Sequence, residues 1–430
     1  MTTRPFFLPL LLSLLAPACA APADETAADD PDMTESEIGT KPAPRDVSWQ
    51  ELSLPRMGLD GNVTIDDIAF AKRPDGGPVT RDNGKPIMFV IERIGMKHLP
   101  GVENGQLGPL TDPGVALLLR SDDGGDTFHL LTQLPGLGIR AHIRLASTPR
   151  GANVTQTRIY IEAPSDDTGL RGGPLSFHGA LMRSDNGGIS FTTLPGNIGS
   201  IEVDANNADV LTGIDCRGVL RSTNAGVSWT PISPVVASPY CEGAHLVRTK
   251  DPKRVYAIYG LGDFGMPYLY RSDDGGKTFR RFESPPEGTF YFPSNVMADP
   301  LDANHLWAWD YRGFLSSADG GSTFAKHNRG FTPDGNPEVS YSLGNVTIDD
   351  LHRPPGQEKH TLWVMNAKRL LRWSPENGAQ GGQWKQVSTL SSDGVRLDIA
   401  GRASAPKPFA IVRRADGSEA LLRGTFAYAP

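Results

Sequence analysis

From Val47 onward the chain is a succession of short runs in which apolar and polar residues alternate, separated by clusters of Gly, Pro, Asn and Asp. Period-two alternation bounded by such punctuation predicts β-strands joined by turns. The stretch around Ser317 shows the pattern best. Residues 295–299, 305–310, 313–316 and 323–326 read as four consecutive strands, a to d. Between c and d stands a phrase that recurs along the chain: an apolar pair, then Ser-x-Asp/Asn-x-Gly-x-Thr/Ser-aromatic. It occurs at Ser121-Asp122-Asp123-Gly124-Gly125-Asp126-Thr127-Phe128, and again from Ser184 to Phe191, Ser222 to Trp229, Ser272 to Phe279 and Ser317 to Phe324. A worn copy begins at Ser374 and runs on to Trp384. The phrase predicts a hairpin: the apolar pair closes one strand, Ser and Asp bond turn backbone, Gly takes positive φ, and the Thr-aromatic pair opens the next strand.

The copies begin at Ser121, Ser184, Ser222, Ser272, Ser317 and Ser374, at intervals of 63, 38, 50, 45 and 57 residues. The phrase resembles the Asp box, or BNR repeat, of sialidases, xyloglucanases, sortilin-type receptors and photosystem-assembly factors. That resemblance implies an all-β fold, a β-propeller with one box per blade between strands c and d. It implies no activity, because the box is structural in enzymes and non-enzymes alike. A four-stranded blade takes about 40 to 45 residues, so each interval fits one blade with insertions in some. The two ends complete a seventh. Residues 395–400, 408–413 and 420–423 read as strands a, b and c without a fourth, and Val47-Ser48-Trp49-Gln50-Glu51-Leu52 reads as the missing d. The expectation is a single seven-bladed β-propeller over residues 46–430, closed by its N-terminal strand.

Composition sharpens the setting. The 430 residues include 48 Gly and 36 Pro, as many short strands require. The net charge of −7 carries no basic stripe, which argues against nucleic acid as a partner. Residues 1–20 read as an export signal: Arg4, an apolar core from Phe6 to Leu15 that is short for a membrane span, and a small-residue end. Cys19 stands where a bacterial lipoprotein carries its lipid, and cleavage after Ala18 or Ala20 is the alternative. Residues 21–45, rich in Ala, Asp, Glu, Thr and Pro, read as a disordered acidic tether. The protein is therefore expected outside the cytoplasm as a monomer, secreted, periplasmic or anchored by lipid. Cys216 and Cys241 fall in neighbouring blades, and either a disulfide or two buried thiols fits.

Insertions at residues 94–113, 164–177 and 260–267 all fall between strands b and c, on the face opposite the boxes. The b strands end in a polar column: Glu92, Glu162, Asp215, Tyr259, Asp310, Asn366 and Arg413, with Arg217, Arg312 and Lys368 two residues after three of them. In a propeller this column rings the channel mouth, unless it only caps strand ends. Arg140, His142 and Arg144 share one side of a strand, and Tyr240, Glu242 and His245 open the fourth blade. Tyr with Glu, and an arginine trio such as Arg140, Arg144 and Arg312, resemble the sialidase catalytic set, yet the Arg-Ile-Pro opening of sialidases is missing. Asp66-Asp67 and Asp349-Asp350 recur inside an identical Gly-Asn-Val-Thr-Ile-Asp-Asp phrase. A xyloglucanase-like use of Asp66 with Asp349 and a turn after strand a are the two readings of this phrase, and turn formation is preferred. No metal, phosphate-loop or Gly-x-Ser-x-Gly motif is present, so no cofactor is expected. The sequence points to a propeller that binds a glycan or an extracytoplasmic protein at its channel mouth. The alternative is a glycan-active enzyme, an exo-sialidase-like or other glycoside hydrolase, or a polysaccharide lyase.

Overall fold

The computed structural model describes residues 45–73, 79–80, 85–98, 110–112, 114–134, 141–148, 157–163, 180–196, 198, 200–204, 206–215, 218–233, 245–249, 251–261, 266–282, 295–299, 302–310, 313–327, 347–349, 361–374, 383–399 and 407–427. These form seven four-stranded antiparallel sheets, the blades of a β-propeller, with one two-stranded ribbon added, Lys97–His98 against Leu110–Asp112. The a strands of blades 1 to 4 are Val63–Phe70, His142–Leu145, Ser200–Asp204 and His245–Arg248, and those of blades 5 to 7 are Asn295–Ala298, Thr347–Asp349 and Asp393–Ile399. Successive a strands lie against one another from blade 1 to blade 5 and again from blade 6 to blade 7, which makes them the innermost layer.

Closure is as expected. Asp46–Glu51 pairs antiparallel with Glu419–Ala427, from Asp46 opposite Ala427 to Glu51 opposite Leu422. Val47 enters the core between blades 6 and 7, and Leu52 the core between blades 7 and 1. Among the described residues there are seven core clusters, one at each seam between consecutive blades. A twisted four-stranded sheet has two faces to bury, and packing blade on blade in a closed ring buries both while removing free edges.

The five good hairpins share one bond set. The Ser hydroxyl oxygen accepts from the amide of the Gly four residues on, at 2.7 Å for Gly125 and 2.8 Å for Gly188, Gly226, Gly276 and Gly321. These glycines all hold positive φ, between 86° and 97°, where L side chains are strained. A Cβ on Gly188 would stand 2.9 Å from Leu118 and Leu131 of the preceding blade, and one on Gly226 2.6 Å from Leu194. The box thus wedges each blade onto the one before. Arginine at the end of strand c ties the other direction: Arg183, Arg271 and Arg423 donate to the box carbonyls of Ala225, Gly320 and Gly124 in the following blades, at 2.8, 2.9 and 3.0 Å.

Two expectations change. Strands Val255–Leu261 and Met266–Ser272 pair as far as Gly260 with Pro267 and Leu261 with Met266, so these four residues of the 260–267 insertion extend the b–c hairpin. Asp66 and Asp67 are not in a turn. They lie in the middle of Val63–Phe70, at a bulge between Ile65 and Asp67 that lets both carboxylates reach buried partners instead of alternating faces.

Candidate functional site

The inner strands place charge where alternation leaves room for it. In blade 7, Leu397 and Ile399 are buried while Arg396 and Asp398 between and beside them are partly exposed. In blade 2, Ile143 is buried while His142 and Arg144 are partly exposed. In blade 3, Ile201 is buried and Glu202 and Asp204 partly exposed. Contacts between these residues cross the seams. Arg396 pairs with Asp67 of blade 1 and lies 3.8 Å from Asp398. Asp67 Oδ2 accepts the Ile143 amide of blade 2 at 2.7 Å and stands 3.8 Å from His142 Nδ1. Arg144 Nε donates to Glu162 Oε2 at 3.1 Å. Glu162 Oε1 also accepts the amide of Ile201 in blade 3. Arg248 of blade 4 closes the series, 3.4 Å from Asp204 and donating to Thr212 at 2.6 Å. A chain of acids and bases therefore runs along the inner wall across blades 7, 1, 2, 3 and 4.

Electrostatics divides the carboxyls. Burial disfavours ionisation of Asp67, but Arg396, His142 and the Ile143 amide overcome it and hold the group below the ordinary Asp value. Glu202 and Asp398 go the other way: burial pushes both up, against the opposing pull of Arg144 and Arg396 respectively. The Glu162 carboxylate raises the pKa of Arg144 further, and burial lowers that of Arg248. Asp66 is a separate, fully buried pair with Arg93, at 3.1 Å to Nε, and also accepts the Ala141 amide. Such a wall offers guanidinium donors and carboxyl groups side by side, suited to hydroxyls, carboxylates or amides presented in the channel.

The sequence candidates distribute as follows. Arg144 and Glu162 meet directly, and His142 approaches Asp67. Glu162 both pairs with arginine and caps the next strand's backbone, so the two readings of the polar column coexist in it. Asp215 is buried at the end of its strand. Glu92 lines a cavity whose walls include none of the other candidates. Of His245 and Asp310 the structure describes the strand position only, the ends of blade 4 strand a and blade 5 strand b. Arg140, Arg217, Tyr240, Glu242 and Arg312, the cysteines Cys19, Cys216 and Cys241, and residues 1–44 lie outside the described residues. Sequence reading missed Asp67, Glu202, Arg248, Arg396 and Asp398 as site residues. The signal was present in the Arg396-Leu397-Asp398 and Glu202-Val203-Asp204 alternation, which is strange for an innermost strand.

No protein-family model matches the chain, and no curated protein matches it. Solved structures do. YCF48 bound to D1 peptide superposes with a TM-score of 0.51 at 14% identity, over 92% of this chain and 99% of that one. A GH74 enzyme of Niastella koreensis gives 0.49 at 16% identity over 85% of this chain and 52% of its own, so the chain spans about half the length of that enzyme. The α-L-arabinofuranosidase Arb93A of Fusarium graminearum gives 0.37 at 12% identity, over 85% of this chain and 97% of that one. At 14% identity the likeness to YCF48 is one of fold alone, and the described residues form a seven-bladed propeller.

Proposed function

We propose that this chain is an extracytoplasmic binding propeller, exported by residues 1–20 and tethered by residues 21–45, that holds a glycan or a protein partner at its channel mouth. The observation that carries this reading is the acid–base chain along the inner wall. Closing a ring does not require charge there, and buried or half-buried ion pairs contribute little net stability against apolar packing. Five consecutive blades nevertheless keep charged groups on that wall: those on the a strands of blades 7, 2, 3 and 4 are partly exposed, and Asp67 of blade 1 is buried beneath them. The fold accommodates such a role, since the structure named YCF48 bound to D1 peptide is a propeller of this kind. The same mouth would gather Arg140, Arg217, Tyr240, Glu242, His245, Asp310 and Arg312.

A second reading is a glycan-active enzyme: the wall carries Glu202, partly exposed and raised by burial, and Asp67, buried and held down against burial by Arg396, carboxyls of opposite bias such as acid–base chemistry uses. Screening the purified protein against a glycan panel and a peptide library decides between them. Binding without product release fits the first reading, and reproducible release of sugar replaces it with the second. Arg144→Ala, Glu202→Gln, Arg140→Ala, Glu242→Gln and Arg312→Ala are expected to lose binding with the fold intact. Lys385→Ala, on outer strand Gln383–Thr389, is expected to change nothing. Equal losses in Lys385→Ala would mean that the ligand face has been misplaced.

A further inference from the structure

The closing strand Asp46–Glu51 of blade 7 hands the chain to strand Val63–Phe70 of blade 1, and a cavity of about 180 Å³ lies beneath the link. Leu52, Leu54, Val63 and Leu421 give it an apolar side, and Glu92 and Glu419 a polar one. Glu92, on strand Met88–Ile94, is only 1% exposed, and its Oε2 has no hydrogen-bond partner. The other charged groups around the cavity are Glu51, Arg56, Arg414 and Glu419. Glu419 is satisfied: Oε2 accepts the Ile65 amide at 2.9 Å and Oε1 is held by Arg413 at 2.8 Å. Arg414 is held by Glu51 at 2.5 Å, and Arg56 is exposed at the rim. A buried carboxyl oxygen left unmatched costs free energy, and the residue that carries it lines a space with one apolar side and one charged side.

We infer that this seam cavity binds a primary alkylammonium group, the ammonium seated on the Glu92 carboxylate and the alkyl chain lying along Leu52, Leu54 and Leu421. Room is sufficient, since about 150 Å³ already holds a benzene-sized guest. Charge selects the cation over a neutral guest of the same shape. Burial pushes Glu92 up to about 7 despite the partial relief from Arg56, so the group stands ready to ionise when a cation arrives. Binding then releases a proton below neutrality, tightens as pH rises to about 7, and levels off above. The same chemistry comes from a free small amine or from a lysine side chain of a partner.

Calorimetry with n-butylammonium, in buffers of different ionisation enthalpy, tests this. Binding is expected at pH 8, roughly 30-fold weaker at pH 5.5, with proton release between. Glu92→Gln, nearly isosteric, and Leu54→Trp, which fills the space, should each abolish it while circular dichroism shows the fold retained. Arg144→Ala should leave it intact, which keeps the result separate from the channel-mouth reading. Tighter binding of a single-lysine peptide than of butylammonium assigns the site to a protein partner, and the reverse to a free amine. The inference is overturned if n-butanol binds as well as n-butylammonium, if Glu92→Gln binds unchanged, or if neither amine binds at pH 8.

Discussion

The box aspartates and three carboxyl groups elsewhere in this ring behave in opposite ways. In the boxes, Asp123, Asp274 and Asp319 are surrounded by donors. Each accepts a Thr hydroxyl on Oδ2 at 2.6 Å, and on Oδ1 the same residue's amide at 2.8 to 2.9 Å and a Ser hydroxyl at 2.7 to 2.8 Å. All three are held below the ordinary Asp value, Asp274 at about 2, chiefly by the Thr278 hydroxyl. Away from the boxes, Glu92, Glu202 and Asp398 are raised, and burial is the first cause in every case. The box carboxylate is a finished structural part whose ionised form the turn already solvates. Glu92, Glu202 and Asp398 are less completely matched than the box carboxylates, and it is there that a ligand has something to supply.

Both sets depend on the closed ring, so the largest effect should come from opening it. Deleting residues 46–54 removes Val47 and Leu52 from two seam cores and the partner strand of Glu419–Ala427. The melting temperature is expected to fall by more than ~10 °C, read by calorimetry. A truncated protein that melts like the full chain would refute the closure.

Next comes Arg93→Ala. Arg93 and Asp66 are 1% and 3% exposed, so the change strands a carboxylate in the interior. A loss of about 3 to 5 kcal/mol is expected by denaturant unfolding, and Asp66→Asn with Arg93→Met should recover most of it, since removing both charges costs less than leaving one. Failure of the double variant to recover stability would show that Asp66 is held chiefly by other donors.

Of these features the sequence displayed the repeated ones. The bounds of strands 408–413 and 306–310 were legible almost to the residue, because each is a continuous apolar run, buried on both faces, between turn residues. The box bonds follow from local spacing alone. The Asp66–Arg93 and Asp67–Arg396 pairs join residues 27 and 329 positions apart, and nothing local announces such partners. The identical phrase at Asp66 and Asp349 suggested a turn because isolated Asp pairs favour turns. The bulge that turns both carboxylates inward is set by neighbouring strands, not by the phrase.

The third test sets the raised carboxyl against pH. Glu92 goes from 4.5 unfolded to about 7 folded, so its protonated form is the one that folding favours. Its contribution is full below pH 4.5, declines as pH rises through 7, and is then absent; at ~1.4 kcal/mol per unit this is roughly 3 kcal/mol. Glu92→Gln is expected to be more stable than the parent at pH 8 and no more stable at pH 4.5, by urea unfolding at both. A parent profile that is unchanged by the substitution would place the titration elsewhere.

The smallest effect should come from the box, where the sign reverses. Asp274 falls to about 2, so its contribution is present above the ordinary value of 3.8 and lost as pH drops toward 2. Asp274→Ala removes an acceptor from the Thr278 and Lys277 amides and is expected to cost about 1 kcal/mol at neutral pH. Asp274→Asn should cost less. The chain already carries this arrangement in two boxes, where Asn186 and Asn224 accept the amides of Ser190 and Ser228 on Oδ1 and donate Nδ2 to their hydroxyls at 2.9 Å. The Thr278 hydroxyl can reverse its role in the same way, from donor to acceptor. Asp274→Asn is therefore expected to stay within ~0.5 kcal/mol of the parent at pH 7 and to lose less stability than the parent between pH 4 and 2. If it instead matches Asp274→Ala, the negative charge itself supports the turn, and the box is closer in kind to the wall than its hydrogen bonds indicate.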